Sequence, residues 1–109
     1  MPGLRIMDPL GYIRFLSLLI DADFVLTDSG GIQEETTALG IPCLTLPTIT
    51  ERPVTCEIGT NRLVCPESGR LREAITDLLE KPRRQGKLPP LWDGRAAERI
   101  VATIVERIL

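Results

Sequence analysis

The stretch Phe24-Val25-Leu26-Thr27-Asp28-Ser29-Gly30-Gly31-Ile32-Gln33-Glu34-Glu35 runs from a short apolar segment through paired glycines into two carboxylates. Each part has a chemical use. Glycines leave backbone N–H groups accessible, and a helix that starts at such a turn adds positive potential, so the arrangement suits a phosphate. Carboxylates one or two turns later can accept hydrogen bonds from sugar hydroxyls. Taken together, the residues form half of a site for a nucleotide sugar. Each also has a plainer use. Asp28 and Ser29 can cap a helix, Gly30-Gly31 can be a tight strand–helix turn, and Glu35 can be a solvated carboxylate.

Other chemistries are poorly supplied. The 109 residues contain no histidine, which removes the commonest general base and the commonest metal ligand. Cys43, Cys56 and Cys65 show no CxxC spacing. Their odd number, with no secretory leader, points to reduced thiols in a cytoplasmic protein. Cys43 falls in an apolar run and reads as a small core residue. The net charge of −2 gives no general attraction to nucleic acid or acidic membranes. Arg14 interrupts the longest apolar stretch, which is too short to span a bilayer.

The elements that would position the glycine turn follow from periodicity and stop signals. Asp8-Pro9 reads as a helix entrance, and Tyr12, Phe15, Leu16, Leu19 and Ile20 repeat as one buried stripe. Phe24 to Thr27 is a strand apolar on both faces, as in a covered parallel sheet. A second helix spans Gly31 to Leu39, with Gly40 and Pro42 as stops. Strands follow at Cys43 to Leu46 and Arg62-Leu63-Val64. A third helix carries Leu71, Ile75, Leu78 and Leu79 and closes at Pro82. Lys81 to Lys87 is basic and reads as a solvated linker ahead of an anion site. Asp93-Gly94 opens a final helix at about 94–108, with Ile100, Val101, Ile104, Val105 and Ile108 on its apolar side.

Alternating strands and helices predict right-handed βαβ units on a short parallel sheet flanked by helices, an α/β fold in a single unit over 1–109. The strands are few, and before Asp8 the one candidate is Arg5-Ile6-Met7. A doubly wound domain binds its ligand beside a switch point with units on both sides. One side is missing here, so the chain reads as the second half of a domain, whether an excised piece, a gene fragment or part of a split protein.

Several motifs carry a resemblance when taken in order: Asp8-Pro-Leu-Gly-Tyr-Ile-Arg-Phe15, Leu26-Thr-Asp-Ser-Gly-Gly-Ile-Gln-Glu-Glu-Thr36, Gly40-Ile-Pro-Cys43, Thr50-Glu-Arg-Pro53, Gly59-Thr-Asn-Arg-Leu-Val64 and Leu91-Trp-Asp-Gly-Arg-Ala-Ala-Glu-Arg-Ile100. Over nearly its whole length the chain resembles the carboxyl-terminal part of non-hydrolysing UDP-N-acetylglucosamine 2-epimerases. The resemblance implies a partial Rossmann-like domain, the second half of the C-terminal domain of a glycosyltransferase-B-type fold, with no cofactor and no metal. It implies that Ser29, Gly30 and Gly31 bind the diphosphate and that Glu35 holds the ribose hydroxyls. Phe15 would lie against uracil, and the backbone at Leu10 would meet its polar edge. Arg52 would reach toward the nucleotide. Phe15 also fits the buried stripe, and Arg52 could instead pair with Glu51 or Glu57. Family catalytic groups, including a histidine, belong upstream, so no catalytic residue is expected in this chain and no epimerisation by it alone. Expected partners are a UDP-sugar, the missing N-terminal half, and a second copy through an exposed sheet edge; nucleic acid and membrane are not. Two other classes stay open: a nucleotide-sugar glycosyltransferase domain, and a UDP-sugar-binding module without catalysis. A hydrolysing epimerase is a third reading within the same superfamily.

Overall fold

The computed structural model describes residues 2–46, 50–65, 69–80 and 87–108. Among these residues five helices and three strands follow in order: α1 (Tyr12–Ile20), β1 (Val25–Thr27), α2 (Gly30–Leu39), β2 (Cys43–Thr45), α3 (Val54–Glu57), β3 (Asn61–Leu63), α4 (Arg70–Glu80) and α5 (Ala96–Arg107). The strands form one parallel sheet in the order β1-β2-β3. Val25, Cys43 and Asn61 lie in one row across it, and Thr27, Thr45 and Leu63 in another.

Strand alternation separates two environments. On one face, Leu44 packs with Val64 and Ala74, joined by Leu71, Ile75 and Leu78 of α4. The other face carries Cys43, Thr45 and Asn61, all buried, beside Gln33, Thr36 and Thr37 of α2. The core is therefore apolar under α4 and largely polar under α2. Gly40 ends α2 in the left-handed conformation (φ 72°) and donates back to the Thr36 and Thr37 carbonyls, as a glycine C-cap does.

Cys43 is a core residue, as its apolar run predicts. Burial pushes its thiol and that of Cys56 up, which favours the protonated form of both.

Several expectations are corrected. Helix α1 begins at Tyr12, with Gly11 at the N-cap, and not at Asp8-Pro9. A helix from Pro9 would carry Gly11 in its first turn, which costs about 1 kcal/mol relative to alanine. Its apolar stripe is mostly uncovered: Leu19 is buried, Phe15 and Leu16 are half-buried, and Tyr12 and Ile20 are 61% and 50% exposed. Arg5-Ile6-Met7 forms no strand. The third strand starts at Asn61, one residue early, and α3 had no counterpart in the periodicity because four residues make barely one turn. Pro82 and all but Lys87 of the basic stretch lie outside the described residues.

The final helix begins at Ala96, two residues after Gly94, and buries none of its residues. Its entrance is held by charge. Asp93 accepts from the Arg95 N–H (3.0 Å) and from both Nη atoms of Arg99 (2.9 and 3.0 Å), and these donors hold its carboxyl below the usual range. Arg99 Nη2 also donates to the Leu91 carbonyl (2.8 Å), where Leu91 takes the left-handed backbone (φ 71°) that branched side chains disfavour. With both ends of the chain largely unburied, the radius of gyration is 16.8 Å; a compact chain of this length would have about 13 Å. Among the described residues no helix is long and apolar enough to cross a membrane.

Candidate functional site

Strand β1 delivers the chain to α2 through Asp28 and Ser29. The Ser29 N–H donates to Thr27 Oγ1 (3.0 Å), which fixes the turn. Ser29 occupies the N-cap with extended backbone (φ −87°, ψ 130°), yet its hydroxyl makes no capping bond, and no acidic side chain lies in the first turn. Capping therefore does not account for Ser29. The first amides of a helix have no acceptor within it. Those of Gly30 and Gly31 thus stand at the positive end of α2 without the usual side-chain oxygen. A Cβ on Gly31 would meet nothing within 4 Å, so this side of the turn is open.

Arg52 completes the cluster. A Cβ built on Gly30 would lie 2.5 Å from Arg52 Nη1 and 3.2 Å from its Cζ, so the guanidinium rests against the glycine itself. Its Nε donates to Glu34, and Nη1 lies 3.7 Å from Glu51. Pairing with Glu51 is as the sequence suggested. The main carboxylate partner is Glu34, 18 residues away, and among the described residues no hydrogen bond or ion pair joins Arg52 to Glu57. A cation at a helix N-terminus opposes the macrodipole. Placing a guanidinium beside uncapped amides makes sense where an anion joins them, because Arg donors and amide donors then converge on the same oxygens.

The Arg52 backbone is fixed on both sides. Its N–H donates to Thr50 Oγ1 (3.0 Å), and its carbonyl accepts from Thr55 Oγ1 (2.7 Å) and the Thr55 N–H (3.1 Å). Thr50 Oγ1 in turn donates to Gln33 Oε1 (2.6 Å), which also accepts from Asn61 Nδ2 (3.0 Å). Asn61 Nδ2 reaches Thr55 Oγ1 (3.2 Å), and Asn61 Oδ1 accepts from Thr45 Oγ1 (2.5 Å). Helix α2, the Arg52 loop, α3, β2 and β3 thus meet in one buried polar network. Sequence reasoning missed it. The available signal was Asn61 and Thr45 on inward positions of short strands, where a polar side chain requires partners.

The structure brings Ser29, Gly30, Gly31 and Arg52 together. Among the described residues, no hydrogen bond or ion pair ties Leu10, Phe15 or Glu35 to that group. Glu35 is half-buried on the second turn of α2, Phe15 is half-buried on α1, and Leu10 is 36% exposed in the segment before α1.

Comparisons with known proteins agree with this architecture. The family model described as UDP-N-acetylglucosamine 2-epimerase matches residues 1–105. The Methanocaldococcus jannaschii UDP-N-acetylglucosamine 2-epimerase is 44% identical over 98 residues, covering 90% of this chain and 26% of that protein. The Escherichia coli K12 enzyme of the same name is 39% identical over 103 residues, covering 91% of this chain and 27% of its own length. The crystal structure of the M. jannaschii enzyme in complex with UDP-GlcNAc and UDP superposes with a TM-score of 0.79 at 43% identity, over 94% of this chain and 28% of that one. The Neisseria meningitidis enzyme bound to UDP-GlcNAc superposes with a TM-score of 0.76 at 36% identity, over 92% of this chain and 28% of that one. The chain spans about a quarter of the length of these relatives. The short parallel sheet with its flanking helices is a part of their glycosyltransferase-B-type fold. With a match running from residue 1 to 105 and the same backbone path, the chain belongs to the UDP-N-acetylglucosamine 2-epimerase family.

Proposed function

We propose that this chain is the UDP-binding portion of a UDP-N-acetylglucosamine 2-epimerase, which interconverts UDP-N-acetylglucosamine and its manno epimer. The single observation that carries the reading is the Arg52 guanidinium seated against Gly30 at an uncapped helix start. Ser29, Gly30 and Gly31 hold the diphosphate, with Arg52 as its cationic partner. Glu35 takes the ribose hydroxyls, Phe15 covers one face of uracil, and the backbone at Leu10 meets the polar edge of the base.

The chemistry divides in two. A base removes the proton from carbon 2 of the sugar, the bond from carbon 1 to the diphosphate oxygen breaks, and UDP leaves an unsaturated 2-acetamido sugar. UDP then adds back to carbon 1, and a proton returns to the opposite face of carbon 2. Negative charge grows on the departing diphosphate, which is where the amides and guanidinium act. For proton transfer at carbon 2 the chain supplies no histidine. The remaining catalytic groups belong to the other part of the family's enzyme.

Gly31 provides the sharpest test, because its two expected effects have opposite signs. Alanine there fits the protein, since nothing lies within 4 Å of its Cβ. Inside a helix it adds up to about 1 kcal/mol of stability. In the proposed site the same methyl group occupies the place of the diphosphate. Gly31→Ala is therefore expected to raise Tm while abolishing UDP binding in a calorimetric titration, and UDP-N-acetylglucosamine incubated with the wild-type chain stays in the gluco form by NMR. UDP binding undiminished in Gly31→Ala would refute the reading.

The uncovered apolar surface calls for a partner as well. Tyr12, Ile13 and Ile20 on α1 and Ile100, Val101 and Val105 on α5 are each at least half exposed, and β1 is an edge strand of the described sheet. In a whole family enzyme we expect the remaining part to cover such surface. In its absence we expect two copies to share it, so light scattering should find dimers or larger species. A monodisperse monomer would reject this.

A further inference from the structure

The position of Arg52 is not dictated by its own side chain. It is 36% exposed, and its carboxylate partners, Glu34 and Glu51, are 47% and 93% exposed. Ion pairs of that kind hold geometry weakly. What is rigid beneath it is the buried network. Gln33, Thr45, Thr55 and Asn61 are each at most 6% exposed, and their hydrogen bonds join four secondary-structure elements, α2, β2, α3 and β3.

Two connections join this rigid floor to the Arg52 backbone. Thr55 holds the carbonyl, but its hydroxyl and amide both belong to α3 and follow wherever α3 goes. Of these two, Thr50 is the one bonded directly to α2, and unlike the exposed Arg52–Glu34 pair its contact on α2 is the buried Gln33. Its hydroxyl donates its proton to Gln33 Oε1 and at the same time accepts the Arg52 N–H, a hydroxyl turn over two residues. One oxygen thereby relates the loop to the helix whose first turn holds the glycines. Both ends of the proposed diphosphate clamp, Gly30 at the start of α2 and Arg52 on the loop, are referenced to each other through Thr50.

We propose that Thr50 is the positioning residue that sets the Arg52 guanidinium over the Gly30 turn, with Gln33 as its acceptor on α2. The proposal rests on reading that turn as the diphosphate subsite. Thr50 touches no ligand itself. It acts by withholding from the loop the freedom that would otherwise have to be lost when the anion binds.

The test uses the full 109-residue chain and two side chains at one position. Thr50→Val keeps the shape and removes the hydroxyl. Gln33 Oε1 still accepts from Asn61, so the buried network is not left with an orphan acceptor. Thr50→Ser keeps the hydroxyl. In the absence of any ligand, the Arg52 Nε–Hε NMR cross-peak, assigned with Arg52→Lys, is expected to move to the position of a solvent-exposed arginine in Thr50→Val and to stay in Thr50→Ser. With UDP added, Thr50→Val is expected to bind about 3- to 10-fold more weakly, the range one net hydrogen bond covers, with Thr50→Ser restored to the wild-type level. Uridine, which has no phosphate, should bind all three proteins alike.

An unmoved Arg52 cross-peak in Thr50→Val overturns the positioning role, whatever happens with UDP. Equal losses for UDP and uridine in Thr50→Val overturn it too, since a merely structural role would act on both. A wild-type chain that fails to bind UDP sinks the functional reading instead, and the ligand-free cross-peak still decides the role of Thr50.

Discussion

Replacing Arg52 by alanine is expected to weaken UDP binding about 10- to 150-fold, the equivalent of the roughly 1.5–3 kcal/mol carried by hydrogen bonds to a charged group. The guanidinium lies against Gly30, at amides that Ser29 leaves uncapped, so its loss removes the one formal positive charge next to those amides among the described residues. The fold should hardly notice. The Arg52–Glu34 pair is 36% and 47% exposed on its two sides, and pairs so exposed contribute about 0–1 kcal/mol. Arg52→Lys keeps the charge and loses the planar fork of donors, so it should recover only part of the affinity. Phosphorus NMR of UDP reads the change into the millimolar range. Unaltered UDP binding in Arg52→Ala, with an unchanged melting curve, would remove Arg52 from the site.

The second large effect falls on stability, at Gly59. A Cβ there would lie 2.5 Å from Thr37 Cγ2 and 2.7 Å from the backbone oxygen of Thr55, and it would also press on Thr37 Oγ1. Thr37 is 2% exposed and has nowhere to retreat, and the Thr55 carbonyl belongs to α3. The strain is steric, because Gly59 does not adopt the left-handed backbone. Overpacking of this kind costs about 1–3 kcal/mol. For a domain of this size Gly59→Ala should therefore lower Tm by about 5–20 °C. Because α3 also carries Thr55, which holds the Arg52 carbonyl, UDP affinity should fall with it. Thr37→Ala removes two of the three crowded atoms, so the double variant should be more stable than Gly59→Ala alone, a non-additivity expected of residues in contact. Strictly additive changes in Tm would show that the crowding is relieved elsewhere.

These two positions differ in how far they could be read before folding. Gly30-Gly31 between an apolar strand and an amphipathic segment already means accessible amides at a helix start, because that follows from local backbone geometry. The parallel sheet, the limits of α2 at Gly40 and the burial of Cys43 were legible for the same reason: strand and helix periods, and glycine at a C-cap, act over a few residues. The order of motifs was enough to place the chain in its family. Gly59 lay inside one of those motifs, but nothing nearby in sequence says that Thr37 presses on it from 22 positions away.

What only the tertiary structure decided are relations between distant residues. Arg52 faces Glu34 and Gly30 rather than Glu57, and Gln33, Thr50, Thr55 and Asn61 share their hydrogen bonds, because the β1-α2-β2 crossover brings α2 over the loop that follows β2. Covering is likewise non-local. The helical repeat of Tyr12, Phe15, Leu16, Leu19 and Ile20 correctly marks one apolar side of α1, yet only Leu19 is buried. Periodicity reports which side of a helix avoids water, whereas burial requires a second surface to meet it, and that surface is not a property of the helix.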